Sequence, residues 1–489
     1  MKYLSIFIFL IFAFIIVSGT YAETDIPTSE TPELVPLTDD NTQLDVSMTR
    51  TAEVYTDLMW AVYCSTRDPE SQKSQNAYNA LIEKLESDND FSEVLPKNEL
   101  SFIYAQRAKF RLTKWQYPAG AEADARKSFE LNPTSVNAAW ILGKTLTDRY
   151  IFSNNTARNI NKEEEIFTAL KRVVELDPDH HEAHLYLGSV ARDLGRPELA
   201  ITSFKALTRI MPFRAQYHNE LGRLYTVQNR HEEALNSYER VLTISPDDIS
   251  AHYSVGVAHQ SKNNFEKAEY HIKRAVVLLE ERVNTSRMAR MRSRDRIVLA
   301  QRLQDARYQL AQVYLRFNAP QKAVSNFEDI LSDDSKYIPA LIGIGIAYQI
   351  LDDVQRSENY LRKAIEFSST EEPDAYNALG YLYAEQGIKL DEAEKLVRRA
   401  LKSIPTSGAY LDNLGLIYFK KGSLDAAIEN LEQAARYLPN ETEILGHLAD
   451  AYLKKGLEQK ALQTLEHAVQ LEPDNTELRQ KLDTIRSSK

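Results

Sequence analysis

Small and apolar residues recur along the chain at one fixed interval, and that interval predicts the secondary structure better than any local stretch does. Gly188, Gly222 and Gly256 are 34 residues apart, as are Ala200, Ala234 and Ala268, and Pro178, Pro212 and Pro246. The spacing returns in Ala393, Ala427 and Ala461 and in Pro405, Pro439 and Pro473. A period between about 20 and 50 residues marks a stack of small units, none of which can bury its apolar face alone. Within one period, Leu221-Gly222 is followed by Tyr225, Ala234, Tyr238 and Pro246, and Leu414-Gly415 by Tyr418, Ala427, Leu431 and Pro439. Glycine and alanine let two helices approach closely, the aromatic fills between them, and proline ends the second helix. The pattern predicts two helices per period and an all-α chain.

This placement of Leu-Gly, aromatic, Ala and Pro resembles the tetratricopeptide repeat (TPR) family. The resemblance implies a right-handed superhelical solenoid of helix-turn-helix units, about ten of them here, at 102–135, 136–180, 181–214, 215–248, 249–282, 304–337, 338–371, 373–407, 408–441 and 442–475. Residues 50–100 read as a degenerate N-terminal repeat and 476–489 as a C-terminal capping helix. Two insertions interrupt the array, one near 150–161 and one at 283–303. The wording Ala378-Leu379-Gly380-Tyr381, Leu390-Asp391-Glu392-Ala393 and Tyr410-Leu411-Asp412-Asn413-Leu414-Gly415 is similar to exported bacterial cell-envelope members of the family.

The N-terminus changes the expected location. Residues 1–22 open with Lys2, continue through an apolar run from Tyr3 to Val17 and close on Thr20-Tyr21-Ala22, the layout of a secretory signal. The run is also long enough for an uncleaved anchor. Both readings place the chain outside the cytoplasm, in the periplasm or cell envelope. Residues 23–49 carry seven acids, three prolines and no Lys or Arg, which predicts a disordered acidic leader.

Charge and composition then narrow the chemistry. With 59 basic and 70 acidic residues the formal charge is −11, which argues against nucleic acid as a partner. The single cysteine, Cys64, rules out an intramolecular disulfide and a cysteine-based zinc site. His180 and His184 have a metal-like spacing, but His184, His218 and His252 sit one repeat apart, so the reading is packing histidines and no metal. Gly343-Ile344-Gly345 lacks the third glycine and the Lys-Ser/Thr of a nucleotide loop. No catalytic constellation and no cofactor are expected, so the chain reads as a non-catalytic scaffold rather than an enzyme.

In the family, positions 2, 5, 9, 12 and 13 of each first helix line the inner face. The resemblance therefore implies a partner-binding groove at Asn219, Arg223, Tyr253, Gln260, Tyr308, Gln312, Arg316, Asn377, Tyr381 and Phe419, with Asp412 and Lys420 beside them. Tyrosines with amides and arginines suit an extended peptide or a partner domain. The alternative occupant is carbohydrate or cell-wall polymer stacked on Tyr253, Tyr308 and Tyr381, as in a polymer-export or secretion component. Eight arginines fall between Arg282 and Arg307. Arg287, Arg290 and Arg294, at i, i+3 and i+7, would share one face of a helix and meet an acidic partner or anionic lipid.

Overall fold

The structure, a computed structural model, describes residues 46–67, 72–87, 96–113, 117–151, 160–288, 292–368 and 372–487. The expected export segment, most of the acidic leader, most of the first insertion and Arg290 lie outside the described residues. Among the described residues there are 23 α-helices and no strands, and no helix is long and apolar enough to cross a membrane.

The chain divides into two compact units, residues 1–230 and 231–489. The first holds α1 (Val46–Arg67), α2 (Gln72–Ser87), α3 (Lys97–Thr113), α4 (Pro118–Leu131), α5 (Val136–Tyr150), α6 (Ile160–Leu176), α7 (His181–Asp193), α8 (Pro197–Ile210) and α9 (Ala215–Val227). The second opens with α10 (His231–Ile244), α11 (Ile249–Ser261), α12 (Phe265–Met288), α13 (Ser293–Arg316), α14 (Pro320–Asp333), α15 (Ile338–Ile350) and α16 (Val354–Phe367). It continues with α17 (Pro373–Glu385), α18 (Leu390–Ser403), α19 (Gly408–Lys421), α20 (Leu424–Tyr437), α21 (Thr442–Lys454), α22 (Glu458–Leu471) and α23 (Thr476–Ser487). Within each unit consecutive helices pack on one another, which makes each a helical solenoid.

Local sequence explains the pairing. The turn inside a pair needs one residue in the left-handed region, supplied by Gly195 and Asn229 in the first unit and by Asn263, Asn318, Asp352, Gly387, Gly422 and Gly456 in the second. The turn between pairs starts a new helix with a side-chain cap where Ser135, Asp248 and Ser407 accept from the amide three residues on. The repeating Leu-Gly glycine is a contact point. A Cβ on Gly256 would lie 2.4 Å from Ile272, and one on Gly415 2.5 Å from Leu431. The aromatic and alanine positions fill the same seam, with Tyr225, Ala234, Ala268, Tyr383 and Ala427 all buried.

Two places depart from the repeat. In the first unit Asp124 on α4 is only 2% exposed and takes two guanidinium groups, Arg107 at 2.8 and 2.6 Å and Arg111 at 2.8 Å. In the second, α12 and α13 run 24 residues each where α11 and α14 take 13 and 14. Arg287 lies in α12 and Arg294 in α13. The chain reverses between them so that the two helices pack together, and the single helical face expected from the i, i+3, i+7 spacing does not form.

Candidate partner-binding surface

In the second unit the first helices of successive pairs touch: α11 with α13, α13 with α15, α15 with α17, α17 with α19, and α19 with α21. Their shared face is stitched by polar side chains about one repeat apart. Asn413 Nδ2 donates to Asn377 Oδ1 at 2.9 Å, the Tyr410 hydroxyl donates to Asp374, and His447 Nδ1 sits 3.0 Å from Asp412 Oδ1. Burial alone would lower the His447 pKa. The hydrogen bond and charge of Asp412, with Glu443 and Asp450, outweigh it, and the net shift is upward.

The structure distributes the groove residues read from the sequence as follows. Asn219, half-buried, and Arg223, exposed and 3.7 Å from Glu220, belong to the first unit. In the second unit Tyr253 and Tyr308 lie partly buried against the core of α12 to α15, and Tyr308 also shares a hydrogen bond with Gln312. Gln260 is half-buried, and Arg316 donates to Asn263 at 2.9 Å. Asn377 is held by Asn413. Tyr381 and Phe419 come together in a groove of about 610 Å³ that runs over α17, α19, α21 and α23. Arg294 is exposed at the start of α13.

The groove brings in residues that the sequence reading passed over. Glu385, Glu443, His447, Asp450 and Lys481 line it with Tyr381 and Phe419. Tyr381 donates to Glu443 at 3.5 Å, a long contact, and its hydroxyl is held well above the usual tyrosine range by burial and then by Glu385, Glu443 and Asp412. Lys454 Nζ stands 4.4 Å from the centre of the Phe419 ring. Lys481 bonds Asp450 at 2.9 Å and Glu477 at 3.2 Å. By register Glu385, Glu443 and Asp450 occupy inner-face positions 13, 2 and 9. The repeat register alone is signal enough to place these carboxylates on the inner face. The same holds for Ile346 and Ile350 on α15, which are 36% and 45% exposed at positions 9 and 13.

Most carboxylates on the second helices of the pairs are consumed internally, in a repeating set. Glu358 takes Lys389 at 2.8 Å, Arg362 at 2.9 Å and a hydrogen bond from Tyr383. Glu394 takes Lys421 at 2.8 Å, Tyr418 at 2.8 Å and Arg398 at 2.9 Å, and Glu432 takes Tyr452 at 2.6 Å and Lys460 at 3.3 Å. These bonds outweigh burial and hold Glu358 down to about 2, and they hold Glu394 at the same level. Asp305, Glu385 and Glu443, on the first helices, are exposed and have no ion pair among the described residues.

The periodic histidines have a backbone role. His184, His218 and His252 each turn Nε2 to the carbonyl of the proline six residues back, Pro178, Pro212 and Pro246, at 3.0, 3.0 and 2.8 Å. His180 Nδ1 accepts from the Ala183 amide at 3.1 Å, so the zinc-like pair spends a nitrogen of each ring on backbone. His252 also faces His271 of α12, Nδ1 to Nδ1 at 3.0 Å, and His259 stacks on His271 with the rings 18° apart. Two near-parallel rings do not converge on a common point as metal ligands would.

Family models match three stretches: the tetratricopeptide repeat protein 21 C-terminal ARM domain over residues 299–484, a TPR repeat over 222–263 and a tetratricopeptide repeat over 168–215. Comparison with curated protein sequences finds no match. Among solved structures, the chain is similar to a tetratricopeptide repeat protein from Parabacteroides merdae (19% identity, 55% of this chain and 98% of that one, TM-score 0.47). It is also similar to YrrB, described as a TPR protein with an unusual peptide-binding site (17% identity, 43% and 97%, TM-score 0.35). A third is the APC/C hetero-tetramer Cut9-Hcn1 (12% identity, 90% and 98%, TM-score 0.43). The 34-residue period, the paired helices with their left-handed turns and the matched repeat models lead to one conclusion: the chain belongs to the tetratricopeptide repeat family.

Proposed function

We propose that the chain is a non-catalytic protein–protein interaction scaffold of the cell envelope, binding a peptide segment or partner domain on the inner face of its first helices. The observation that carries this reading is the exposed inner face of the first helices in the second unit. That face leaves Ile346 and Ile350 of α15 exposed and, farther along the chain, Glu385 and Glu443 exposed at a groove that Tyr381 and Phe419 also line. Exposed aliphatic and charged groups on one face suit docking. The extracytoplasmic setting rests on the secretory layout of residues 1–22.

Affinity capture from an extracytoplasmic extract tests it, with the wild-type chain beside an Ile346→Ser, Ile350→Ser variant. These positions are preferable to Tyr253 and Tyr308, whose rings also support the core. A protein held by the wild type and lost from the variant supports the scaffold. Equal capture by both would place binding elsewhere. Retention of glycan and no protein would favour the polymer-binding alternative.

A further inference from the structure

We infer that the groove across α17, α19, α21 and α23 takes an extended polypeptide segment carrying lysine or arginine, with its cationic side chains beside Glu385 and Glu443. The inference deepens the scaffold reading and rests on it.

Charge complementarity sets the chemistry. Of the side chains lining the groove, four are carboxylates (Glu385, Glu443, Asp450 and Glu477) and two are ammonium groups (Lys420 and Lys481), while the further basic group, His447, is paired with Asp412. Lys481 is already committed to Asp450 and Glu477. Glu358, Glu394 and Glu432 each receive a lysine from the neighbouring repeat. Glu385 and Glu443 are exposed and make no ion pair among the described residues, next to two aromatic rings. A partner cation completes both contacts, because opposite charges across an interface steer and select the partner.

The shape and the rings agree. The Phe419 ring in the groove already carries one ammonium, that of Lys454, 4.4 Å from its centre. At Gly446 on the groove wall an added Cβ would meet only Leu478, at 3.7 Å. The chain's own leader does not suit this site, since residues 23–49 hold seven acids and no Lys or Arg.

The test is selection of random 12-residue peptides on the full chain, followed by titration of the enriched peptides. The expected result is enrichment in Lys and Arg. Binding should be at least tenfold weaker in Glu385→Gln, Glu443→Gln and should weaken as salt rises from 50 to 300 mM. Both substituted side chains are exposed, and an unchanged melting temperature confirms that the variant folds. A Glu443→Lys chain should in turn prefer the peptide with its cations replaced by glutamate. Enriched peptides that are neutral or acidic, or that bind the double variant equally, would overturn the cationic segment and leave the scaffold standing. No enrichment at all would overturn both. Self-association of the wild-type chain that is lost in the double variant would put a second copy in the groove and overturn the partner segment.

Discussion

His252 gives its Nε2 hydrogen to the carbonyl of Pro246 at 2.8 Å, joining two residues whose 34-residue spacings look like separate signals in the sequence. Pro246 marks the exit of one helix and His252 lies in the first turns of the next. The bond fixes the turn between pairs, and His184 and His218 repeat it on Pro178 and Pro212. His252 is 5% exposed, and replacing it by Phe leaves a carbonyl and the Nδ1 of His271 without this partner. The expected cost is about 1–3 kcal/mol in denaturant unfolding. His218→Phe, at a more exposed ring, should cost less than about 1 kcal/mol.

The ring facing His252 predicts a pH dependence. Burial, then His252, His259 and Lys267, lowers the His271 pKa to about 4. A histidine whose folded pKa lies below its unfolded value binds more protons when unfolded. Its stabilising contribution is therefore complete above about pH 6.5 and is lost as pH falls towards 4. The partial solvent access of the ring reduces the effect to about 1–2 kcal/mol. Between pH 7 and 5, wild type should lose more stability than His271→Gln in parallel thermal melts. Parallel curves would contradict the assignment.

Two glycines should respond in opposite directions to alanine. Gly415→Ala sets a methyl 2.5 Å from Leu431 and 3.3 Å from the Ala427 carbonyl, so about 1–3 kcal/mol of overpacking outweighs the better helix propensity. Gly446→Ala meets only Leu478 at 3.7 Å and should gain up to about 1 kcal/mol. Chemical denaturation of the two variants settles the sign of each.

Asp124 holds Arg107 and Arg111 in the first unit, with side chains 3%, 10% and 15% exposed. Asp124→Ala strands two guanidinium groups in a poorly solvated seam and should cost about 3–5 kcal/mol, read as early loss of helix signal on heating.

The repeat was legible because sterics leave few residues able to stand at its contact points. Gly256 and Gly415 must lack a side chain where the helices cross, and the left-handed turn residues keep the 34-residue period from Asn229 to Asn263 and from Gly422 to Gly456. Tyr381 and Phe419 could be placed on the inner face from register alone. What the register could not reveal was how each side chain is spent. Tyr253 and Tyr308 share their rings with the core, and Arg316 is taken by Asn263. Glu443 accepts from Tyr381 across 62 residues, a juxtaposition that spacing alone does not show. The proline-free run between Arg282 and Arg307 does fit a hairpin of two long helices, and Arg287 and Arg294 then fall in different helices instead of on one face.

The most direct test of the central claim places a photo-crosslinking residue at Lys420, exposed in the groove, and separately at Glu429, exposed on the second helix α20. After irradiation in an extracytoplasmic extract, the account predicts a covalent adduct with a partner polypeptide from position 420 and none from 429. Equal adducts from both positions, or adducts from 429 alone, would contradict it.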